Sequence, residues 1–190
     1  MKNRFKISLV LFILISQVSL AQTYLQGNSV LPIQQMATST LLNNNNRLTI
    51  QQAFTEINNR YNNADYSINS DKLVGEFFLI NNMVVQLVNR VRTANNNFSP
   101  LEQTKVEFKE MFTNTLGQED FSTKYYDELK NVNNYKVLIH YYKYNNRKNF
   151  IALDNKGDYV ILGTIYCYSQ DKTTAEAFVD TLLNSITFNP

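Results

Sequence analysis

Three apolar segments, Tyr135–Tyr144, Asn149–Asp154 and Tyr159–Tyr168, follow one another with only Asn145–Lys148 and Asn155–Asp158 between them. This spacing constrains the fold more than any other feature. Connections so short join antiparallel neighbours, because a parallel pair needs a crossover of a dozen or more residues. The simplest register sets Tyr144 opposite Asn149 and Asp154 opposite Tyr159. Side chains alternate across a strand, so one face carries Val137, Ile139, Tyr141, Phe150, Ala152, Ile161, Gly163, Ile165 and Cys167. The other carries Leu138, His140, Tyr142, Ile151, Leu153, Val160, Leu162, Tyr166 and Tyr168. Both faces are largely apolar and both need cover. On the first, Gly163 opposes Phe150 and Ala152 opposes Ile161, which leaves room for a helix to come close, and the C-terminal helix is expected there. The second is rich in tyrosine and holds the single histidine. Partial cover there leaves an aromatic cleft, so His140, Tyr142, Tyr166 and Tyr168 are the candidate ligand or partner face.

Three helix starts share one local signature. Thr49-Ile50-Gln51-Gln52 is a capping box, followed by Ile50, Ala53, Phe54, Ile57 and Tyr61 on one face. Ser99-Pro100-Leu101-Glu102 combines a capping serine, proline at the first helical position and a reach-back glutamate, ahead of Leu101, Phe108 and Phe112. Thr173-Thr174-Ala175-Glu176 leads into Ala175, Phe178, Val179, Leu182, Leu183 and Ile186, a broad apolar stripe at helical spacing. Between the first two, Glu76–Ile80 and Met83–Val88 flank Asn81-Asn82. That pair reads as a tight hairpin turn with both central residues left-handed. Arg90 and Arg92 extend its second strand. Asn43–Asn46, Asn95–Asn97 and Asn145-Asn146 read as turns and loops, since asparagine tolerates left-handed backbone.

The order of a hairpin, a capped helix, an aromatic meander and a final amphipathic helix running into Asn184-Ser185-Ile186-Thr187-Phe188 resembles the PsbP-like (Mog-type) family over roughly residues 65–188. The resemblance implies an α+β fold, a central antiparallel β-sheet flanked by helices in an α/β/α sandwich. It also implies an accessory or binding module of the bacterial envelope rather than an enzyme. No functional residue carries over one by one.

The chain opens on an export pattern. Lys2, Arg4 and Lys6 precede an apolar stretch from Ile7 to Ile15, and Ser19-Leu20-Ala21 ends in small residues. Residues 1–21 are therefore expected to be a cleaved signal peptide. The apolar core falls short of the roughly 20 residues a spanning helix needs. No cysteine follows the small residues to carry a lipid, and no later segment is long enough to span. Residues 22–48, with Pro32 and the asparagine run, are expected to be a flexible lead, and residues 49–190 one α+β domain. An exported, periplasmic or extracellular location follows. The whole chain is formally +2 and the leader carries three cations and no acid, so the mature chain is −1. That removes the global-charge case for nucleic acid. Arg90, Arg92, Lys143, Arg147 and Lys148 are too sparse to track phosphates.

Cys167 is the only cysteine, which leaves no intramolecular disulfide, and it reads as a buried small hydrophobe. In the register above, His140 and Cys167 lie seven strand residues apart, roughly 23 Å, far beyond the reach of a nucleophile and its base. With one histidine and one cysteine, a zinc site would have to be built mostly from carboxylates, against that ion's preference for nitrogen and sulfur ligands. Asp154-Asn155-Lys156-Gly157-Asp158 lacks the spacing of an EF-hand loop and reads as an ordinary turn. There is no G-x-S-x-G and no phosphate-cradling glycine loop. Neither a metal nor a cofactor is expected. Glu107 with Glu110, and Asp127 with Glu128, are the carboxylate pairs that an enzyme would have to use. The leading expectation is a non-enzymatic domain that contacts another envelope protein, since tyrosine is enriched at interfaces. A carrier of a small apolar ligand in the tyrosine cleft is the alternative, and a carboxylate enzyme the second.

Overall fold

The computed structural model describes residues 31–60, 73–92 and 100–189. The expected signal peptide, the Asn95–Asn97 run, Ser99 and Tyr61 lie outside the described residues. The α-helices among the described residues are α1 (Ile33–Met36), α2 (Ile50–Arg60), α3 (Leu101–Leu116), α4 (Gln118–Lys124) and α5 (Lys172–Ser185). The strands are β1 (Ala37–Ser39), β2 (Arg47–Leu48), β3 (Glu76–Ile80), β4 (Met83–Val91), β5 (Tyr125–Val132), β6 (Tyr135–Tyr142), β7 (Arg147–Asp154), β8 (Tyr159–Tyr166) and β9 (Ile186–Phe188). Seven strands form one sheet in the order β2-β3-β4-β8-β7-β6-β5, every pair antiparallel, while β1 and β9 pair separately.

Local chemistry sets several boundaries. Asn81 and Asn82 turn the β3–β4 hairpin with φ of 48° and 61°, the left-handed pair that such a turn requires. At the start of α2 the capping box closes in both directions. Thr49 N donates to Gln52 Oε1 at 2.9 Å, and Gln52 N donates to Thr49 Oγ1 at 3.2 Å. The other two starts differ from expectation. Pro100 has extended backbone (φ −52°, ψ 138°) and stands before α3 as its cap instead of taking the first helical position. Thr173 and Glu176 form no box, because the turn Ser169–Asp171 runs straight into α5 and makes Asp171 the cap. Glu176 is turned instead towards a lysine on the sheet.

The expected faces are present. Phe150 opposes Gly163 and Ala152 opposes Ile161 across β7–β8. The β6–β7 register needs correction: Asn149 pairs with His140, four residues along β6 from the expected Tyr144. The loop is Lys143–Asn146, and Arg147 and Lys148 join the strand. Asn146 holds that loop, its Nδ2 donating to Arg60 O at 2.9 Å and its carbonyl accepting from Cys167 N at 2.9 Å. A shift by an even number leaves every side chain on its expected face.

The layers are helix, sheet, helix. Ala175, Phe178, Val179, Leu182 and Leu183 of α5 pack on Val137, Ile139, Phe150, Ala152, Ile161 and Ile165, in the expected place. On the opposite face α2 covers Phe77, Val84 and Tyr166, and α3 covers Leu138, Ile151 and Val160. Gly163 lies beneath the Phe150 ring, which a Cβ at that position would overlap. The cross-strand glycine thus seats an aromatic ring, leaving less free space for the helix than the sequence suggested.

Residues 31–48, expected as part of a flexible lead, are packed. Ile33, Met36, Ala37 and Leu42 belong to the main core. The Glu76 carboxylate accepts from Ile33 N at 2.5 Å and from Asn89 Nδ2 at 3.3 Å, and pairs with Arg47 at 2.9 Å. A buried carboxylate at a helix start satisfies amides that have no intrahelical partner. Scarce periodicity in a four-residue helix and strands of two and three residues hid this segment from the sequence. Among the described residues no helix is long and apolar enough to cross a membrane.

Candidate functional site

The four residues singled out from the sequence do not converge on one site. His140 is 8% exposed on the helix side of β6, its ring centroid 4.6 Å from that of Phe108 in α3. Burial, reinforced by the Arg147 charge, pushes its pKa down to about 3, so the imidazole is neutral. Tyr142 meets Phe112 edge-on at 5.2 Å. The Tyr166 hydroxyl, under α2, donates to Gln86 Oε1 at 2.7 Å. Tyr168 lies beyond the end of β8 with the Arg60 guanidinium 4.7 Å from its ring centre. The phenylalanines of α3 therefore occupy the space beside His140 and Tyr142 in which an apolar ligand was expected.

What this face does hold is a polar row directly across five strands, Asp127, His140, Asn149, Thr164 and Gln86, each opposite the next. Thr164 Oγ1 donates to Asn149 Oδ1 at 3.2 Å, and Lys105 pairs with Asp127 at 3.2 Å. The slipped register concealed the row from sequence reasoning. It also shortens the expected interval between His140 and Cys167, since Cys167 follows Thr164 by three residues. The two still sit on opposite faces, and Cys167 is buried with the α5 layer, burial raising its thiol pKa. No dyad forms. Asp127 and Glu128 point to opposite faces of β5, and Glu107 accepts from Gln103 on an exposed helix surface.

An open cleft of about 280 Å³ lies on the other face, between α5 and strands β5 and β6. Tyr126, Glu128, Ile139, Tyr141, Glu176, Val179 and Asp180 line it. The strand alternation places Tyr126 opposite Tyr141, and their rings stack at 4.9 Å with 24° between planes. Tyr126 donates its hydroxyl proton to Glu128 Oε2 at 2.9 Å. Lys130 bridges Glu128 at 3.3 Å and Asp180 at 2.5 Å. The wholly enclosed Lys148 reaches Glu176 at 2.8 Å, with its ammonium 3.9 Å from the Tyr141 ring centre.

Electrostatics keep Tyr126 and Tyr141 neutral and Lys130 charged. Burial and the Glu128 hydrogen bond push the Tyr126 phenol up to about 12. Burial and Glu176 raise Tyr141 as well. Desolvation works to lower the Lys130 pKa, but its bonds to Asp180 and Glu128 outweigh that and hold it above its usual value. The cleft thus offers neutral phenols and paired charges: a surface for recognition by hydrogen bonds, ring stacking and charge, rather than a proton donor set near neutrality. Among the described residues no group of three or more His, Cys, Asp or Glu is arranged to hold a metal ion. Sequence reasoning missed this cleft because its members come from β5, β6 and α5, and β5 itself was not foreseen. A smaller hollow of about 160 Å³ is lined by Ile33, Ala37, Ser39 and Leu42 of the packed N-terminal segment.

No family model matches this chain. No curated protein matches it either. Among solved structures, the chain is similar to the solution structure of cyanobacterial PsbP (CyanoP) from Synechocystis sp. PCC 6803, with 10% sequence identity and a TM-score of 0.36. The match covers 62% of this chain and 75% of that one. A likeness this distant carries no argument about function.

Proposed function

We propose that this chain is a non-enzymatic binding domain of the cell envelope, exported by its N-terminal signal peptide, which docks a partner protein in the cleft between α5 and strands β5 and β6. The observation that carries the reading is the stacked Tyr126–Tyr141 pair, ringed by Glu128, Glu176 and Asp180, in a cleft open to solvent. Aromatic rings with a hydrogen-bonding rim suit protein recognition. The groups best suited to nucleophilic chemistry, His140 and Cys167, are enclosed on opposite faces of the sheet.

Site-directed photo-crosslinking in the native cell envelope tests this. A photoreactive residue at Ala177, exposed on the cleft wall, is expected to capture one discrete protein, and the product is expected to fade in a Tyr126→Ala background. A probe at exposed Gln51 on α2 serves as the control. Equal capture from both positions, or none from Ala177, overturns the reading.

A further inference from the structure

We infer that the outer edge of β5 pairs with β5 of a second copy of this chain, making a two-fold dimer with one continuous sheet. Strand β5 ends the sheet, and no other strand among the described residues pairs with its outer side. An unpaired edge eight residues long is a template for another strand, and charges on such an edge ordinarily reject arbitrary partners. They admit a strand carrying the opposite order of charges, and a two-fold axis through Leu129 supplies it. That axis, normal to the sheet, sets Leu129 against Leu129, Glu128 against Lys130, Asp127 against Asn131 and Tyr126 against Val132. Each pair is complementary: apolar, ionic, hydrogen-bonded and aromatic with β-branched.

The neighbouring two-fold registers are penalised. Moving the axis to Glu128 or to Lys130 sets like charges directly opposite, which destabilises a cross-strand pair. Charge therefore favours this register over the two adjoining it, and discrimination of this kind is what a self-complementary interface needs. The side chains concerned are accessible, Glu128 at 40% and Lys130 at 25% exposure. Their present bond to each other, 3.3 Å within one strand, exchanges for the equivalent bond across the axis. Because the axis is normal to the sheet, α5 stays on the same side in both copies and the two tyrosine clefts become neighbours. This inference goes beyond the docking of a different protein and stands whether or not that docking occurs.

Sedimentation velocity over a micromolar to near-millimolar series tests it on the purified exported chain. The native protein is expected to shift from monomer to dimer. Glu128→Lys and Lys130→Glu alone each set like charges across the axis twice, and each is expected to weaken association at least tenfold. An equimolar mixture of the two restores opposite charges at both places and is expected to recover a dimer containing one of each, identified by native mass spectrometry. Circular dichroism confirms that each variant is folded. A native chain that stays monomeric throughout, a dimer that survives both charge reversals, or a mixture that fails to recover it overturns the inference.

Discussion

Lys148 and Glu176 form an ion pair of unequal surroundings: the lysine side chain is fully enclosed, while the glutamate is 43% exposed at 2.8 Å from it. The two halves of the pair should therefore respond differently to removal. Glu176→Gln leaves an enclosed ammonium without its charged partner and is expected to cost about 1–3 kcal/mol. Lys148→Met keeps an apolar stem against the Tyr141 ring and leaves Glu176 hydrated, at a cost below about 1 kcal/mol. Urea denaturation of both variants measures the asymmetry, and equal losses would refute it.

Phe150 and Gly163 are expected to behave as a coupled unit. Gly163→Ala places a methyl group where the Phe150 ring lies, and overpacking of this kind costs about 1–3 kcal/mol. In a Phe150→Leu background the same substitution should cost less, because the ring is gone. A double-mutant cycle reads the difference, and strict additivity would show that the ring moves aside freely.

The pH dependence of stability should report on His140. Its folded pKa, about 3, lies below the usual unfolded value of about 6.5. The unfolded chain thus binds one more proton between those values, and stability contributed by the neutral ring is lost as pH falls from about 6.5 towards about 3. Since this is the only histidine, His140→Gln should flatten the fall between about pH 6.5 and pH 5, where one extra proton is worth about 1 kcal/mol per pH unit. Denaturant midpoints across that range, compared between the two proteins, decide the matter.

Glu76→Gln should loosen the N-terminal segment without unfolding the sheet. The carboxylate joins Ile33 N, Asn89 Nδ2 and Arg47, and hydrogen bonds to charged groups contribute about 1.5–3 kcal/mol. Amide exchange at residues 33–39 is expected to speed up about tenfold or more, while β6 and β8 remain protected. Uniform acceleration throughout the chain would instead place Glu76 in the global fold.

The face assignments were legible because a period of two survives an even register shift, so Val137, Phe150 and Ile161 lie with α5 although Asn149 meets His140 rather than Tyr144. The Asn81-Asn82 turn and the Thr49 cap were legible because both are satisfied by neighbours in sequence. Strand β5 was not. Its Glu128 and Lys130 point towards the core side, where Asp180 and Tyr126 complete their pairing, and no local pattern reveals such a partnership. The cleft followed β5 out of sight, since Tyr126 meets Tyr141 only once that strand is placed. The third capping box failed for a related reason: Glu176 has a tertiary partner in Lys148 that outcompetes the local one.

The pairing of β1 with β9 has a consequence for the order of manufacture. Ala37 lies opposite Phe188, Ser39 and Ser185 share a hydrogen bond at 2.8 Å, and Asn189 N donates to Met36 O at 2.8 Å. A ribosome delivers the first of these strands about 150 residues before the second, which takes on the order of ten seconds at ordinary synthesis rates. Throughout that interval Ile33 and Met36 have neither the final strand nor the completed α5 layer to close against. A message truncated shortly before codon 186 therefore yields a chain whose seam stays open, with the buried apolar residues Ile33, Met36 and Ala37 left on its one remaining lip for a chaperone or protease to grip.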